Sequence, residues 1–229
     1  ADNLKLDINQ ETGDVNLTWD AVTAGVNDGF IGDIKYDVVR YPGETVVAKG
    51  VTATSATDKL NTRDLTAYAY GVKAYNDKKT SAETRTDYKL YGDAITPPYA
   101  EGFDSEYAMA YFTVINNNND NSTWTYYKNS DGSGEARYEY DTKNGGDDWL
   151  ITPPLKVEKG KIYTVKFKAK SYKSSFVERL EVKYGSTNTV EGMKNVILEP
   201  TDLPGSEFTE YAKEITASED GTLYIGFHA

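Results

Sequence analysis

No cysteine occurs anywhere in the 229 residues. That absence excludes thiolate metal sites, cysteine nucleophiles, disulfides and Cys-attached lipids on this chain. Histidine is nearly missing as well. The single one, His228, stands next to last, which leaves no material for a histidine-rich metal centre and a poorly placed base for a Ser–His–Asp triad. Basic residues are in deficit, 25 Lys and Arg against 36 Asp and Glu, for a formal net charge of −11. A surface of that sign repels phosphate backbones, so nucleic acid is not the expected partner. No apolar run approaches the roughly 20 residues that span a bilayer, and no insertion into a membrane is expected. No basic-then-apolar signal segment opens the chain, and Ala1-Asp2-Asn3 reads as a mature or trimmed start. Missing cysteines do not fix the compartment, because many bacterial exported proteins also lack them.

What the sequence has in quantity is tyrosine, 19 residues against 7 Phe and 3 Trp. Tyrosine favours strands and keeps a polar tip at surfaces. Alternation of period two runs through Val15-Asn16-Leu17-Thr18-Trp19, Tyr36-Asp37-Val38-Val39-Arg40-Tyr41 and Tyr68-Ala69-Tyr70-Gly71-Val72-Lys73-Ala74. The last sets Tyr68, Tyr70, Val72 and Ala74 on one face. Thr12-Gly13-Asp14, Asn27-Asp28-Gly29, Pro42-Gly43 and Asn76-Asp77 punctuate these runs as turns. Short strands at such spacing predict a sandwich. Ile95-Thr96-Pro97-Pro98 stiffens the chain and disfavours helix, so the domain boundary is expected there, giving domains 1–97 and 98–229. Residues 1–97 hold 15 acidic and 11 basic groups and the remainder 21 and 14. Both halves are therefore acidic, with no separate basic arm.

The second half also reads as strands. In Ile162-Tyr163-Thr164-Val165-Lys166-Phe167-Lys168-Ala169-Lys170 the residues Tyr163, Val165, Phe167 and Ala169 face a core. Lys166, Lys168 and Lys170 face water, where they discourage edge-to-edge pairing. Leu180 to Gly185 and Leu223 to Phe227 repeat the pattern. Thr189 is placed to cap a turn or two of helix before Val196.

Three residue groups in the first domain, Trp19, Tyr36 and the alternating run Tyr68 to Asn76, resemble the core pattern of fibronectin type III domains. The resemblance covers about 90 residues and implies a β-sandwich with Tyr68 as its corner tyrosine. In the second domain, Gly102-Phe103-Asp104 suits an opening strand. Phe112 to Trp124 and Asp147-Asp148-Trp149-Leu150-Ile151-Thr152-Pro153-Pro154-Leu155 follow. These segments resemble the cleaved-adhesin, or choice-of-anchor J, family of secreted and surface proteins of Bacteroidetes-type bacteria. The resemblance implies a jelly-roll β-sandwich of the concanavalin/MAM-like kind. The family pattern Asp-x-Asp/Asn-x-Asp-Gly stands here as Asn116-x-Asn118-x-Asp120-Asn121, with less charge. The family domain continues past a strand like Tyr224 to Ala229 into one bearing acidic residues, so the chain is expected to be part of a longer protein.

Asn116, Asn118 and Asp120 carry side-chain oxygens at i, i+2 and i+4, the spacing with which a loop wraps calcium. The same residues suit a polar turn, since Asn and Asp tolerate left-handed backbone and cap their own turns. With one carboxylate among the three, a bound calcium would need help from Asp104, Asp147 or Asp148. Asp147 and Asp148 are adjacent on a strand, point to opposite faces and make a poor acid/base pair. Trp124, Tyr126, Tyr127 and Trp149 form an aromatic-rich region that could hold a glycan or protein ligand if exposed. The two tryptophans also fit a core. Tyr107, Tyr111 and Tyr138 read as strand packers, and His228 as a terminal residue without chemistry.

The expected fold is all-β, a fibronectin type III-like sandwich followed by a jelly roll. The expected function is non-enzymatic: an extracellular or bacterial cell-surface adhesion and ligand-binding module, monomeric and calcium-stabilised, whose partner is a host or cell-surface protein or glycan. The alternatives are a carbohydrate-binding accessory region of a larger secreted hydrolase or protease, and a structural stalk segment without a ligand. Fold does not decide among them.

Overall fold

The computed structural model describes residues 1–25, 32–173, 175, 177–203 and 205–229. The expected turn Asn27-Asp28-Gly29 lies outside them. The chain is nearly all β and divides into two compact units, Ala1–Asp93 and Ala94–Ala229. The expected boundary at Pro97-Pro98 falls inside the second unit. Ile95 is already part of it: its N–H donates to the Pro154 carbonyl at 2.8 Å and its own carbonyl accepts from the Lys156 N–H at 2.8 Å.

In the first unit, β1 (Lys5–Ile8), β2 (Asp14–Thr18) and β5 (Ser55–Lys59) form a three-stranded antiparallel sheet. A five-stranded sheet faces it, in the order β4 (Thr45–Val51), β3 (Lys35–Tyr41), β6 (Thr66–Tyr75) and β7 (Thr84–Arg85), with β8 (Lys89–Tyr91) also paired to β6. Alternation places Leu6, Ile8, Val15 and Leu17 of one sheet against Tyr36, Val38, Tyr70 and Val72 of the other in a single buried cluster with Trp19. β6 is buried beyond simple alternation, from Ala69 to Val72. A Cβ at Gly71 would run into the Glu83 carboxyl, which lies across the second face of the strand. Among the described residues Tyr68 makes no corner hydrogen bond, and Arg40 lies 6.0 Å from its ring; in this unit it is the Tyr36 hydroxyl that accepts a backbone N–H, that of Val22 at 2.9 Å.

The second unit is built on a six-stranded antiparallel sheet. Its order is β16 (Asn195–Asp202), β15 (Arg179–Gly185), β18 (Gly221–His228), β12 (Asp148–Ile151) and β9 (Thr113–Asn116), with β13 (Leu155–Val157) on β18. A two-stranded sheet of β14 (Ile162–Ala169) and β17 (Thr209–Thr216) packs against it. Val165 and Ile215 enter one core with Val182, Leu198, Leu223 and Ile225. β14 alternates as its sequence predicts, with Tyr163, Val165, Phe167 and Ala169 turned inward and Lys166 and Lys168 exposed; Lys170, expected in water, is half-buried and pairs with Glu135 at 3.4 Å. A ribbon of β10 (Trp124–Lys128) and β11 (Gly134–Tyr138) completes the unit.

Two local expectations are corrected. Gly102-Phe103-Asp104 is not a strand: Phe103 sits at φ +56°, and its N–H is taken by the Glu101 carboxylate at 2.6 Å. Tyr107 and Tyr111, expected in a strand, stand on a 3-10 turn, Glu106–Tyr111. The Thr189 cap forms, with its hydroxyl accepting the Gly192 N–H at 3.2 Å, on a single 3-10 turn, Val190–Gly192. Among the described residues no helix is long and apolar enough to cross a membrane.

Candidate functional site

β12 and β9 pair so that Asp148 faces Asn116 and Trp149 faces Ile115. Residues directly opposite in an antiparallel pair share a face of the sheet. Trp149 and Ile115 therefore lie together, in a small cluster with Ile151 and Met193. Asp148 and Asn116 lie on the other face. There the β10–β11 ribbon approaches: Trp124 donates its indole N–H to the Asp148 carbonyl at 3.1 Å, and the Trp124 and Tyr138 rings stand 5.9 Å apart.

Asp148 is wholly buried, at 0% exposure. One carboxylate oxygen, Oδ1, has no hydrogen-bond partner. The other accepts only a long bond, 3.4 Å, from the Asp147 N–H. The Thr123 hydroxyl lies beside the carboxylate, short of a well-formed bond. Burial pushes the carboxyl above the usual aspartate range, and the charges of Asp120 and Asp147 push the same way against Thr123 and the Asp147 amide. The Tyr138 hydroxyl is also buried and unpartnered. Burial, followed by the charges of Asp148 and Asp120, pushes it up to about 12.

The loop after β9 closes onto this place. The Asp120 N–H is shared by Asn116 Oδ1 and Asn118 Oδ1, each at 3.2 Å. Asn116 donates to the carbonyls of Asp120 and Ser122 at 2.9 and 3.0 Å. Asn118 donates to Asp120 Oδ2 at 3.0 Å and to the Gly145 carbonyl at 2.8 Å. Asn119 adopts the left-handed φ of +55° that asparagine tolerates. Asn116 and Asn118 thus converge on the Asp120 amide while the Asp120 carboxylate accepts the Ser122 N–H, which fulfils the polar-turn reading. Asn116 also stands on the strand pair that carries the buried Asp148.

Asp147 turns the other way. Its Oδ1 meets His228 Nε2 at 3.0 Å, while His228 Nδ1 meets Glu181 Oε2 at 3.1 Å. Asp147 Oδ2 accepts from Asn117 Nδ2 at 2.6 Å. The imidazole stacks on Trp149, with centroids 4.3 Å apart and planes at 7°. His228, expected to be idle, is therefore a bridge between two carboxylates. The signal for it was a register pairing of β12 with β18 that a lone histidine near the end of a chain does not announce.

Among the described residues no group of three or more His, Asp or Glu side chains is arranged to hold a metal. The oxygen-bearing side chains near this place are of mixed kind: Asn116, Asn118 and Asp120 in the loop after β9, and Asp148, opposite Asn116 in the ladder and within reach of the Asp120 charge. Asp148 Oδ1 is the observation that fits a cation, because a buried, unpaired carboxylate oxygen is costly unless something satisfies it. Oxygen-only donors suit calcium rather than zinc. Asp104 is not in this group. It lines an open cleft elsewhere in the unit, with Tyr99, Glu101 and Tyr107.

The aromatic quartet does not assemble. Trp149 is buried, 3% exposed, under His228, so it is corrected from ligand contact to core. Trp124 is half-buried against the core of the second unit. Tyr126 and Tyr127 are neighbours on one strand and point to opposite faces. Tyr126 crowds Gly134, whereas Tyr127 is exposed and carries the Arg137 guanidinium 3.2 Å from its ring centre.

No family model matches the chain, and no curated protein does. Among solved structures, the K1 cleaved adhesin domain of Lys-gingipain from Porphyromonas gingivalis W83 is similar at 19% identity and a TM-score of 0.44, over 56% of this chain and 85% of that one. The K3 cleaved adhesin domain of the same protein is similar at 21% identity and 0.39, over 56% and 86%. The tandem CBM22-1–CBM22-2 domain of Paenibacillus barcinonensis Xyn10C is similar at 10% identity and 0.41, over 99% and 84%. These values assign the chain to none of them.

Proposed function

We propose that the chain is a non-enzymatic, extracellular or surface-exposed binding module whose second sandwich is stiffened by calcium. Asn116, Asn118, Asp120 and Asp148 would hold the ion, and its charge would offset the buried Asp148 carboxylate and tie the loop after β9 to β12. The observation that carries this reading is Asp148: it is wholly buried, with one oxygen unpartnered, opposite Asn116 in the ladder. The first unit serves as a fibronectin-like spacer, a role supported by its three-on-five strand order and its lack of an unpaired buried carboxylate among the described residues. The non-enzymatic reading is supported by His228, both of whose ring nitrogens face carboxylates and so offer no base to a hydroxyl nucleophile. The partner is a protein or glycan of a cell surface.

The test is thermal melting of the full chain with a chelator and with millimolar calcium. A ligand that binds only the folded state raises the melting temperature in proportion to the logarithm of its excess over Kd. Calcium is expected to raise the second unit's transition and magnesium to do so less. No shift at millimolar calcium overturns the reading.

A further inference from the structure

Between Ile95 and β9 the chain builds a cleft of about 360 Å³ that the calcium reading does not use. The left-handed turn at Phe103, pinned by the Glu101 carboxylate at 2.6 Å, folds the segment back on itself. The 3-10 turn that follows brings Tyr107 and Tyr111 edge-to-face, 5.6 Å between centroids at 84°. With Tyr99, Glu101, Asp104 and Ser105 they wall the cleft, and Ile95 and Ala108 give it an apolar floor. The Tyr99 hydroxyl is buried and has no hydrogen-bond partner. Burial, with Glu101 and Tyr111 beside it, holds that phenol well above its usual range.

The chemistry of this lining is one-sided. Among the described residues it contains three aromatic rings and two carboxylates, and no Lys, Arg, His, Asn or Gln. Ring faces and carboxylates both attract positive charge. A neutral sugar asks for donors as well as acceptors, and here only hydroxyls could donate. A bare metal ion would leave the rings and the apolar floor unused. An organic cation on a hydrocarbon stem uses all three, and the volume accommodates one such side chain.

We infer that this cleft is a receptor for a basic side chain, a lysine or arginine presented by a protein partner. The cation sits against the faces of Tyr107 and Tyr111 and near Glu101 and Asp104, and its stem lies on Ile95 and Ala108. The inference rests on the reading of the chain as a binding module and gives that module a partner chemistry. It does not depend on calcium.

The experiment is a titration of the full chain, followed through its tyrosine NMR signals, with blocked lysine amide and blocked arginine amide. Blocked norleucine amide, glucose and galactose serve as controls. At least one basic amide is expected to bind saturably in the millimolar range and more weakly as salt rises, with no saturation by the controls. Tyr111→Ala is expected to weaken binding about tenfold, the scale of a desolvated cation–π contact. Asp104→Asn, an exposed change that leaves the fold intact, should weaken it about threefold, the scale of an exposed ion pair. No saturable response, an equal response to norleucine, binding of the sugars alone, or unchanged affinity in both variants overturns the inference. Cation binding that persists without any calcium-dependent melting shift separates its success from the failure of the calcium reading, and the reverse result separates the two the other way.

Discussion

The two units treat buried polar groups differently. In the first, Asp58 receives Arg40 at 2.7 Å and the Tyr70 hydroxyl at 2.9 Å. Glu83 takes the Tyr41 hydroxyl and Arg85, and Lys73 lies 3.6 Å away. Charge that goes inside is met by charge or by a hydroxyl. In the second unit Asp148 goes further inside and is met by little. Of six buried side-chain atoms without a hydrogen bond among the described residues, Trp19 Nε1 is the one in the first unit, while those of Tyr99, Thr123, Tyr138, Asp148 and Trp149 lie in the second. A finished polar core specifies a scaffold, whereas each orphaned group asks for an explanation; those of Thr123, Tyr138 and Asp148 and that of Tyr99 stand at the two places proposed above as sites, and Trp149 Nε1 stands apart from both.

The largest effect is expected where the first unit is most complete. Asp58→Ala leaves the Arg40 guanidinium and the fully buried Tyr70 hydroxyl facing an empty place. Removing one partner of such a network costs about 2–3 kcal/mol, because the groups left behind keep their desolvation penalty. Denaturant unfolding of the full chain should show that loss in one transition and none in the other. A change below about 0.5 kcal/mol, the scale of an ordinary surface substitution, would mean that the network is solvated and the contrast between the units false.

The same operation in the second unit should have the opposite sign. Asp148→Asn removes a buried charge that lacks a proper partner, so in chelator it is expected to stabilise by about 1 kcal/mol, as replacing poorly compensated buried charge does. The substitution should also abolish the calcium-dependent rise in melting temperature. Destabilisation in chelator would show that the carboxylate is satisfied, and would erase the difference between the units.

The strands were legible in the sequence because half-burial imprints a period of two, as in Val15 to Trp19 and Ile162 to Lys170. The site was legible in part. Asn116, Asn118 and Asp120 show their spacing within one loop, but the partnership of Asn116 with Asp148 depends on a register between strands 32 positions apart, which local pattern does not encode. The aromatic quartet failed for a reason the sequence contained, since Tyr126 and Tyr127 are adjacent and cannot face the same ligand. The cleft was hidden by a single backbone feature. Phe103 reads as a strand residue, but it takes a left-handed conformation in the segment that joins Tyr99 and Glu101 to Tyr107 and Tyr111.

Acid should separate the units by sign, with the smallest effect of the three. For Glu83, burial raises the pKa, but Arg85, the Tyr41 hydroxyl and Lys73 outweigh it and hold the carboxyl below its usual value. A carboxylate with a lowered folded pKa contributes stability above its unfolded value of about 4.3 and loses that stability as pH falls through the folded one. Asp148 has its folded pKa raised. Its ionisation works against folding, so the penalty is absent below the unfolded value of about 3.9 and grows as pH rises through the folded one. Between neutral pH and the usual carboxylate range, then, acid relieves Asp148 while Glu83 remains ionised and paired. In chelator, mild acidification should raise the second unit's melting transition relative to the first, and Asp148→Asn should remove that relative rise. If both transitions fall together, or if the Asn variant keeps the rise, Asp148 is not the group that distinguishes the two cores.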